Sequence, residues 1–391
     1  MSGGDLTQTL WDLAISQRWF SGRSGRPLRV DLGDWAAEPT PSTPGLRPGF
    51  LVVGFDDGHE ETYLIPLLWP LDGDPSDATD DAGILLDLLR ADAPGFERLA
   101  EIPDDLPARR FTGEQSNTSI FYGEALLAKV FRRIEPGSNI DVELHRELRG
   151  SAVVAELYGS WNVDGTDLAV FLEALHEPTD GYDLACRFAS EGRDFSEHAT
   201  ALGSALGTVH RILAEKLGTG SVPGADIAAG FRSRLETVAS EFAELRPFVP
   251  AAERVFDEVA DAQVEVQRVH GDCHLGQVLL TGGHWIYVDF EGEPLKSLEE
   301  RRRPDSPLRD VAGMLRSFGY ARAAGDADDD WLTACRRAFL TGYGLDPDRT
   351  EPLLAGYETD KAGYEVAYEA RYRPHLIRVP LDFLSTLPEG A

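Results

Sequence analysis

The sequence predicts an α+β chain whose strand-rich N-terminal part gives way to a helical C-terminal part. Three observations carry this. Up to about residue 175, short β-branched and aromatic runs alternate with Gly, Asp and Pro turns. From residue 195 onward, apolar residues recur at helical spacing, as in Leu202, Leu206, Val209, Leu213 and Leu217. Among those helices stands an unlike stretch, Val269-His270-Gly271-Asp272-Cys273-His274-Leu275-Gly276-Gln277. A second apolar run, Trp285 to Val288, follows it and ends in Asp289-Phe290-Glu291.

Taken in order, residues 5–17 read as an amphipathic helix with Leu6, Leu10, Leu13 and Ala14 on its apolar face. Residues 38–49, rich in Pro, Ser and Gly, read as a loop. Residues 51–55, the turn Asp56-Asp57-Gly58-His59 and residues 61–68 read as a hairpin. An acidic loop, 72–82, and a short helix, 83–89, complete an α/β module over 1–107. A small lobe follows over 108–178. In it, Arg109 to Gly113 lead into the polar loop 114–118, and residues 119–122 and 125–131 are strands. Lys129 lies in the second of these strands. Asn139 caps a helix over 140–149 that offers Glu143 and Glu147 on one face. Residues 166–175 are an apolar last strand. Helices over 229–245, 251–264, 307–322, 330–342 and 350–372 fill the large lobe, 179–391. His210, beside an apolar stripe, reads as a structural histidine.

The unlike stretch carries chemistry. Phosphoryl transfer from a nucleotide needs a carboxylate that orients the attacking hydroxyl and accepts its proton. It needs an amide oxygen for magnesium five residues later, and a second carboxylate at a strand end for the metals. Protein kinases write these as H-R-D-x-x-x-x-N and D-F-G; here they read H-G-D-x-x-x-x-Q and D-F-E. A lone His-Gly-Asp is a weak signal. Gln277 at the required offset and Asp289 seventeen residues beyond Asp272 make it a strong one. Alone, Lys129 is a solvated strand lysine. With Asp272 downstream it reads as the phosphate-binding lysine, oriented by Glu143 with Glu147 in reserve. Ser116, Asn117 and Thr118 stand where a glycine loop would cover phosphates. Glu173 to Leu175 would offer backbone groups to adenine. The expected cofactors are ATP and Mg2+.

A net charge of −30 over 391 residues excludes nucleic-acid and anionic-membrane partners, which need a basic surface. Cys186, Cys273 and Cys335 lie far apart, so neither a disulfide framework nor a zinc site is expected. No signal peptide or apolar span is visible, which points to the cytoplasm. No internal repeat or coiled coil is present, and nothing calls for an obligate protein partner.

The segments His270–Gln277, Asp289–Pro294 and Arg303–Phe318 closely resemble actinobacterial maltokinases, within the aminoglycoside-phosphotransferase-like kinases. Arg18-Trp19-Phe20-Ser21-Gly22-Arg23 resembles their N-terminal cap, and residues 364–374 resemble their C-terminal segment. The resemblance implies a bilobal protein-kinase-like fold with an N-terminal α/β cap subdomain and ATP between the two lobes. It makes Asp272 the base, Gln277 and Asp289 the magnesium ligands, and Lys129 with Glu143 the phosphate holders. Glu291, Asp310, Glu365 and Arg373 fall in segments expected to face a sugar, where each reads equally as a structural salt bridge. The tryptophan expected after Arg373-Pro374 to stack on a sugar is absent; the run is His375-Leu376-Ile377-Arg378. This shifts the expectation from a disaccharide to glucosamine, the substrate of a related maltokinase-like group. A monosaccharide cation suits a site lined by Glu291, Asp310, Glu365 and Glu369. Maltose 1-phosphorylation is the second reading, and a catalytically silent nucleotide-binding module the third.

Overall fold

The computed structural model describes residues 3–15, 17, 19–20, 27–33, 45–70, 75–111, 117–293, 296–349 and 351–388. The chain divides into two compact units, Met1–Arg146 with Ala155–His176, and Glu147–Val154 with Glu177–Ala391.

The first unit holds two antiparallel sheets. In one, strands Pro27–Leu32, Gly45–Phe55, Glu60–Trp69 and Ser76–Asp77 lie in that order, and Arg133–Ile134 adds to Glu60–Trp69. Its core joins Leu51, Val53, Ile65 and Leu67 to Leu6, Leu10 and Ala14 of the helix Gly3–Ile15. The hairpin is longer than expected. Residues 45–49, expected in a loop, pair with 65–69. A Pro/Gly-rich composition reads as loop, but the long partner strand supplies the ladder that makes it a strand.

The other sheet orders its strands Phe96–Arg98, Leu157–Val163, Thr166–Glu173, Leu126–Val130, Thr118–Tyr122 and Ala108–Arg110. Strand alternation buries Leu126, Ala128 and Val130 and turns Lys129 to the opposite face. Arg132 is wholly buried. It meets Asp77 at 2.8 Å, Thr79 at 2.8 Å and Thr118 at 2.7 Å, and lies over the Trp19 ring. Such a charge is tolerated inside only when paired and fully bonded, so this network ties the two sheets together.

The second unit is helical. Helix Ser196–Leu217 packs along Asp329–Tyr343, and Pro352–Tyr372 packs on Leu308–Ala324, Gly224–Glu241 and Val249–Ala260. Helix Gly181–Ser190 and two small sheets were not foreseen. One sheet pairs Thr219–Pro223 with Gln263–Gln267; the other joins Thr179–Asp180, Val278–Thr281 and His284–Tyr287. Among the described residues no helix is long and apolar enough to cross a membrane.

Candidate active site

The second unit builds the His-Gly-Asp stretch into a loop with few freedoms left. Helix Leu308–Ala324 points Asp310 at it. One Asp310 oxygen accepts the His270 N–H at 2.7 Å and the other accepts the Gly271 N–H at 2.9 Å. Further along the same helix, the Ser317 hydroxyl accepts the Leu275 N–H at 3.1 Å. Gly313 brings the helix against the loop between these bonds. A Cβ there would stand 2.2 Å from the Cys273 carbonyl oxygen, so only glycine allows the approach. Gly271 has φ +87°, a left-handed conformation that also favours glycine and sets the turn before Asp272.

His270 links this loop to the second carboxylate. Its Nε2 lies 2.9 Å from the Val288 carbonyl, and its Nδ1 accepts the Asp272 N–H at 3.4 Å. These partners select the tautomer protonated on Nε2. The Val288 N–H donates to the Gln277 carbonyl at 3.0 Å, so the residue before Asp289 is held on both sides.

A hairpin places the amide beside that carboxylate. Strands Val278–Thr281 and His284–Tyr287 pair Val278 with Tyr287 and turn through Gly282-Gly283. Both turn glycines have positive φ, which a two-residue turn matched to the strand twist requires. Gln277 precedes the first strand and Asp289 follows the second, so the register brings both to one end. The Gln277 side-chain amide donates to Asp289 Oδ2 at 3.2 Å. Asp289 itself is left-handed, at φ 64°. The pair offers oxygen donors only, the kind magnesium takes, so its chemistry fits that ion.

Buried electrostatics support the loop. Burial alone would raise the Asp310 carboxyl, but the His210 bond, the nearby histidines and the Gly271 N–H outweigh it and hold the group down at about 2. His210 Nε2 lies 2.9 Å from Asp310, and its Nδ1 lies 2.8 Å from the Tyr343 hydroxyl. Burial pushes the Cys273 thiol well up, as befits a packing residue. Burial also lowers His274, whose Nδ1 accepts the Gly276 N–H at 3.0 Å.

In the first unit, Lys129 meets Asp141 at 3.1 Å. Asp141 stands in the first turn of helix Ile140–Leu148, where its N–H donates to the Asn139 side chain at 2.8 Å. Burial would raise its carboxyl; Lys129 and His145 outweigh burial and hold it well below the usual range. The carboxylate recorded on the lysine is thus Asp141; the expected Glu143 stands in the same first turn of the helix.

Other expected residues are placed differently as well. Asp310 does not face a sugar; it is 1% exposed and spent on the loop backbone. Thr118 is buried with its hydroxyl on Arg132, which removes it from phosphate binding. Asn117 accepts the Arg132 N–H at 3.4 Å, and Ser116 lies outside the described residues. Glu173 and Ala174 donate their N–H groups to the Glu156 and Ala125 carbonyls, so those two N–H groups of the adenine-facing stretch are already spent. The Glu291 carbonyl accepts from Arg301 at 3.0 Å. Glu365 holds Arg316 at 2.6 Å, and Glu369 holds Arg373 at 2.6 Å. The sequence reading missed Asp141, Ser317 and the tie from His210 to the loop. Only the position of Asp141 just after a cap residue could have signalled it.

A model of the phosphotransferase enzyme family matches residues 107–353, more than half of the chain. The glucosamine kinase of Streptacidiphilus jiangxiensis is 29% identical over 356 residues, covering 80% of this chain and 78% of that protein. The glucosamine kinase of Mycolicibacterium smegmatis is 26% identical over 313 residues, covering 70% and 77%. Among solved structures, a glucosamine kinase in complex with glucosamine, ADP and inorganic phosphate has a TM-score of 0.72 at 22% identity. That match covers 97% of this chain and 99% of that one. The kinase-like α+β fold expected from the sequence is borne out.

Proposed function

This chain belongs to the phosphotransferase enzyme family, and from that premise we propose that it is an ATP-dependent kinase of D-glucosamine acting on the 6-hydroxyl. The observation that carries the reading is the immobilised loop. Two backbone bonds from Asp310 and the His270 bridge to Val288 fix Asp272 relative to Gln277 and Asp289. Asp272 orients the sugar hydroxyl and takes its proton as the oxygen–phosphorus bond to the sugar forms and the bond to the ADP oxygen breaks. Lys129, oriented by Asp141, holds phosphate oxygens of ATP. Gln277 and Asp289 would hold magnesium, which when bound neutralises charge on the phosphates.

Two considerations support the sugar. The curated relatives named above are both glucosamine kinases. The acidic residues Glu291 and Glu365, in a chain of net charge −30, favour an ammonium-bearing acceptor. Glu365 also carries an arginine partner, while Glu369, expected beside them, is 1% exposed and held on Arg373.

The test is a coupled ADP-release assay with glucosamine, N-acetylglucosamine, glucose and maltose. Glucosamine is the expected acceptor, and N-acetylation, which removes the cation, abolishes most turnover. Equal rates on glucosamine and N-acetylglucosamine overturn the charge argument, and a preference for maltose overturns the substrate.

A further inference from the structure

Arg309 stands next to Asp310 in the first turn of helix Leu308–Ala324 and has no part in the chemistry above. Its guanidinium joins two acids. One nitrogen donates to Asp305 at 2.7 Å and another donates to Glu293. Burial would lower the guanidinium; Glu293 and Asp305 outweigh burial and raise it above its ordinary value. A planar fork can span two carboxylates in this way, whereas a lysine ammonium is a single point of charge.

The two acids belong to different segments. Asp305 is anchored. Its backbone N–H and carbonyl exchange bonds with Gln267, both at 2.9 Å, and the Tyr357 hydroxyl donates to its side chain. Gln267 ends the strand Gln263–Gln267, which leads into the Asp272 loop. Glu293 closes the run Asp289-Phe290-Glu291-Gly292-Glu293. Residues 288–293 lie in no helix or strand, so the bonds that fix them come from outside the run. Burial would raise the Glu293 carboxyl, but Arg309, Lys361 and Lys296 hold it down at about 2. Arg301 donates to the Glu291 carbonyl at 3.0 Å, and its side-chain carbons stand 3.4 Å from where a Cβ on Gly292 would be. The two segments also touch. A Cβ on Gly271 would stand 3.5 Å from the Gly292 Cα, so the residue before Asp272 packs on the third residue after Asp289. Asp310 holds the first side of this contact by the Gly271 N–H, and Arg309 holds the second through Glu293. Consecutive residues of one helix thus hold both sides.

We propose that Arg309 is a positioning residue for phosphoryl transfer: through Glu293 it holds the Asp289–Glu293 run against the Asp272 loop and so sets the spacing between the proton acceptor and the metal-binding carboxylate. In-line transfer depends on that spacing, because the attacking oxygen sits on one segment and the phosphate charge is neutralised from the other. Arg309 touches neither substrate nor metal in this role; it acts only through Glu293. The inference rests on the kinase reading and adds to it the side chains that keep the two segments in register.

The experiment compares the whole chain with Arg309→Gln, Glu293→Gln and the double variant. ADP release with glucosamine gives kcat and KM, and calorimetry gives ADP affinity with and without magnesium. Glu293→Gln keeps an acceptor oxygen in a half-buried side chain and tests the proposal even where Arg309→Gln does not fold. Each single variant is expected to lower kcat by about tenfold or more at a temperature well below its melting point, with KM for glucosamine within about twofold. Magnesium strengthens ADP binding at least about threefold less than in the native chain, while ADP binding without magnesium is unchanged. The double variant is no slower than the slower single one, because both substitutions break one link. A folded Glu293→Gln with kcat within twofold of native overturns the proposal, as do defects that multiply in the double variant; either leaves Arg309 a stabilising residue only. A native chain that phosphorylates no sugar fails the kinase reading separately. The magnesium effect on ADP binding then decides: its loss in Glu293→Gln upholds the clamp, and an unchanged effect overturns it.

Discussion

Asp310→Asn tests how much of the activity depends on holding the His-Gly-Asp loop. The native carboxylate takes three donors, His270 N–H at 2.7 Å, Gly271 N–H at 2.9 Å and His210 Nε2 at 2.9 Å. An amide has one acceptor oxygen. If that oxygen serves His270 and His210, the amide nitrogen confronts the Gly271 N–H, and a buried donor is left unmet at a cost of about 1–3 kcal/mol. A second route gives a similar size. The carboxyl sits at about 2 in the fold, below the usual carboxylate range, and a shift of that order corresponds to roughly 2–3 kcal/mol. A loss of about 2–3 kcal/mol in a chain of 391 residues lowers the melting temperature by roughly 3–4 °C. The sign with pH follows from a depressed acid. The contribution is fully present above about pH 4 and is lost as pH falls through about 2. The gap in melting temperature between native and variant is therefore flat from pH 5 to 9 and closes only in strong acid. A loop displaced by about 1 Å costs on the order of 10²-fold in kcat, with KM for ATP little changed. Thermal melts across pH and the ADP-release assay measure both. A variant with native melting temperature and native kcat refutes the reasoning, as does a gap that varies between pH 5 and 9.

Three other substitutions probe separate parts. Asp272→Asn should lower kcat by at least ~10²-fold with an unchanged melting curve, because the hydroxyl loses its proton acceptor; an unchanged rate rejects the assignment. Asp141→Asn should raise KM for ATP by about tenfold, since Lys129 is paired with it; an unchanged KM rejects that pairing as the phosphate holder. Gly313→Ala forces a Cβ against the Cys273 carbonyl, and helix or loop must move. A loss of about 1–3 kcal/mol in stability together with reduced kcat is expected, and a native melting curve and rate contradict the close approach.

The fold was legible where local pattern and tertiary context agree. Alternation around Lys129 and the helical period of Leu202 to Leu213 each survive into the structure because one face is buried there. Residues 45–49 were misread because their hydrogen bonds come from a strand distant in sequence. The order of Asp272, Gln277 and Asp289 was legible because phosphoryl transfer dictates residue types at fixed offsets. What brings Gln277 and Asp289 into contact was not, since a short hairpin with Gly282-Gly283 has little apolar pattern of its own. The choice between Asp141 and Glu143 depends on how helix Ile140–Leu148 is rotated against its sheet, and three acidic residues on a short helix do not encode that rotation. Asp310 was read as substrate-facing because a buried carboxylate spent on backbone N–H groups looks, in sequence, the same as one lining a site.

The most direct measurement is the phosphorus–proton NMR correlation of the product formed from ATP and glucosamine by the native chain and by Asp272→Asn. The proposed reading expects coupling of the new phosphate to the protons on carbon 6, at a rate at least ~10²-fold lower in the variant. Phosphate on another position, or equal product from both proteins, contradicts it.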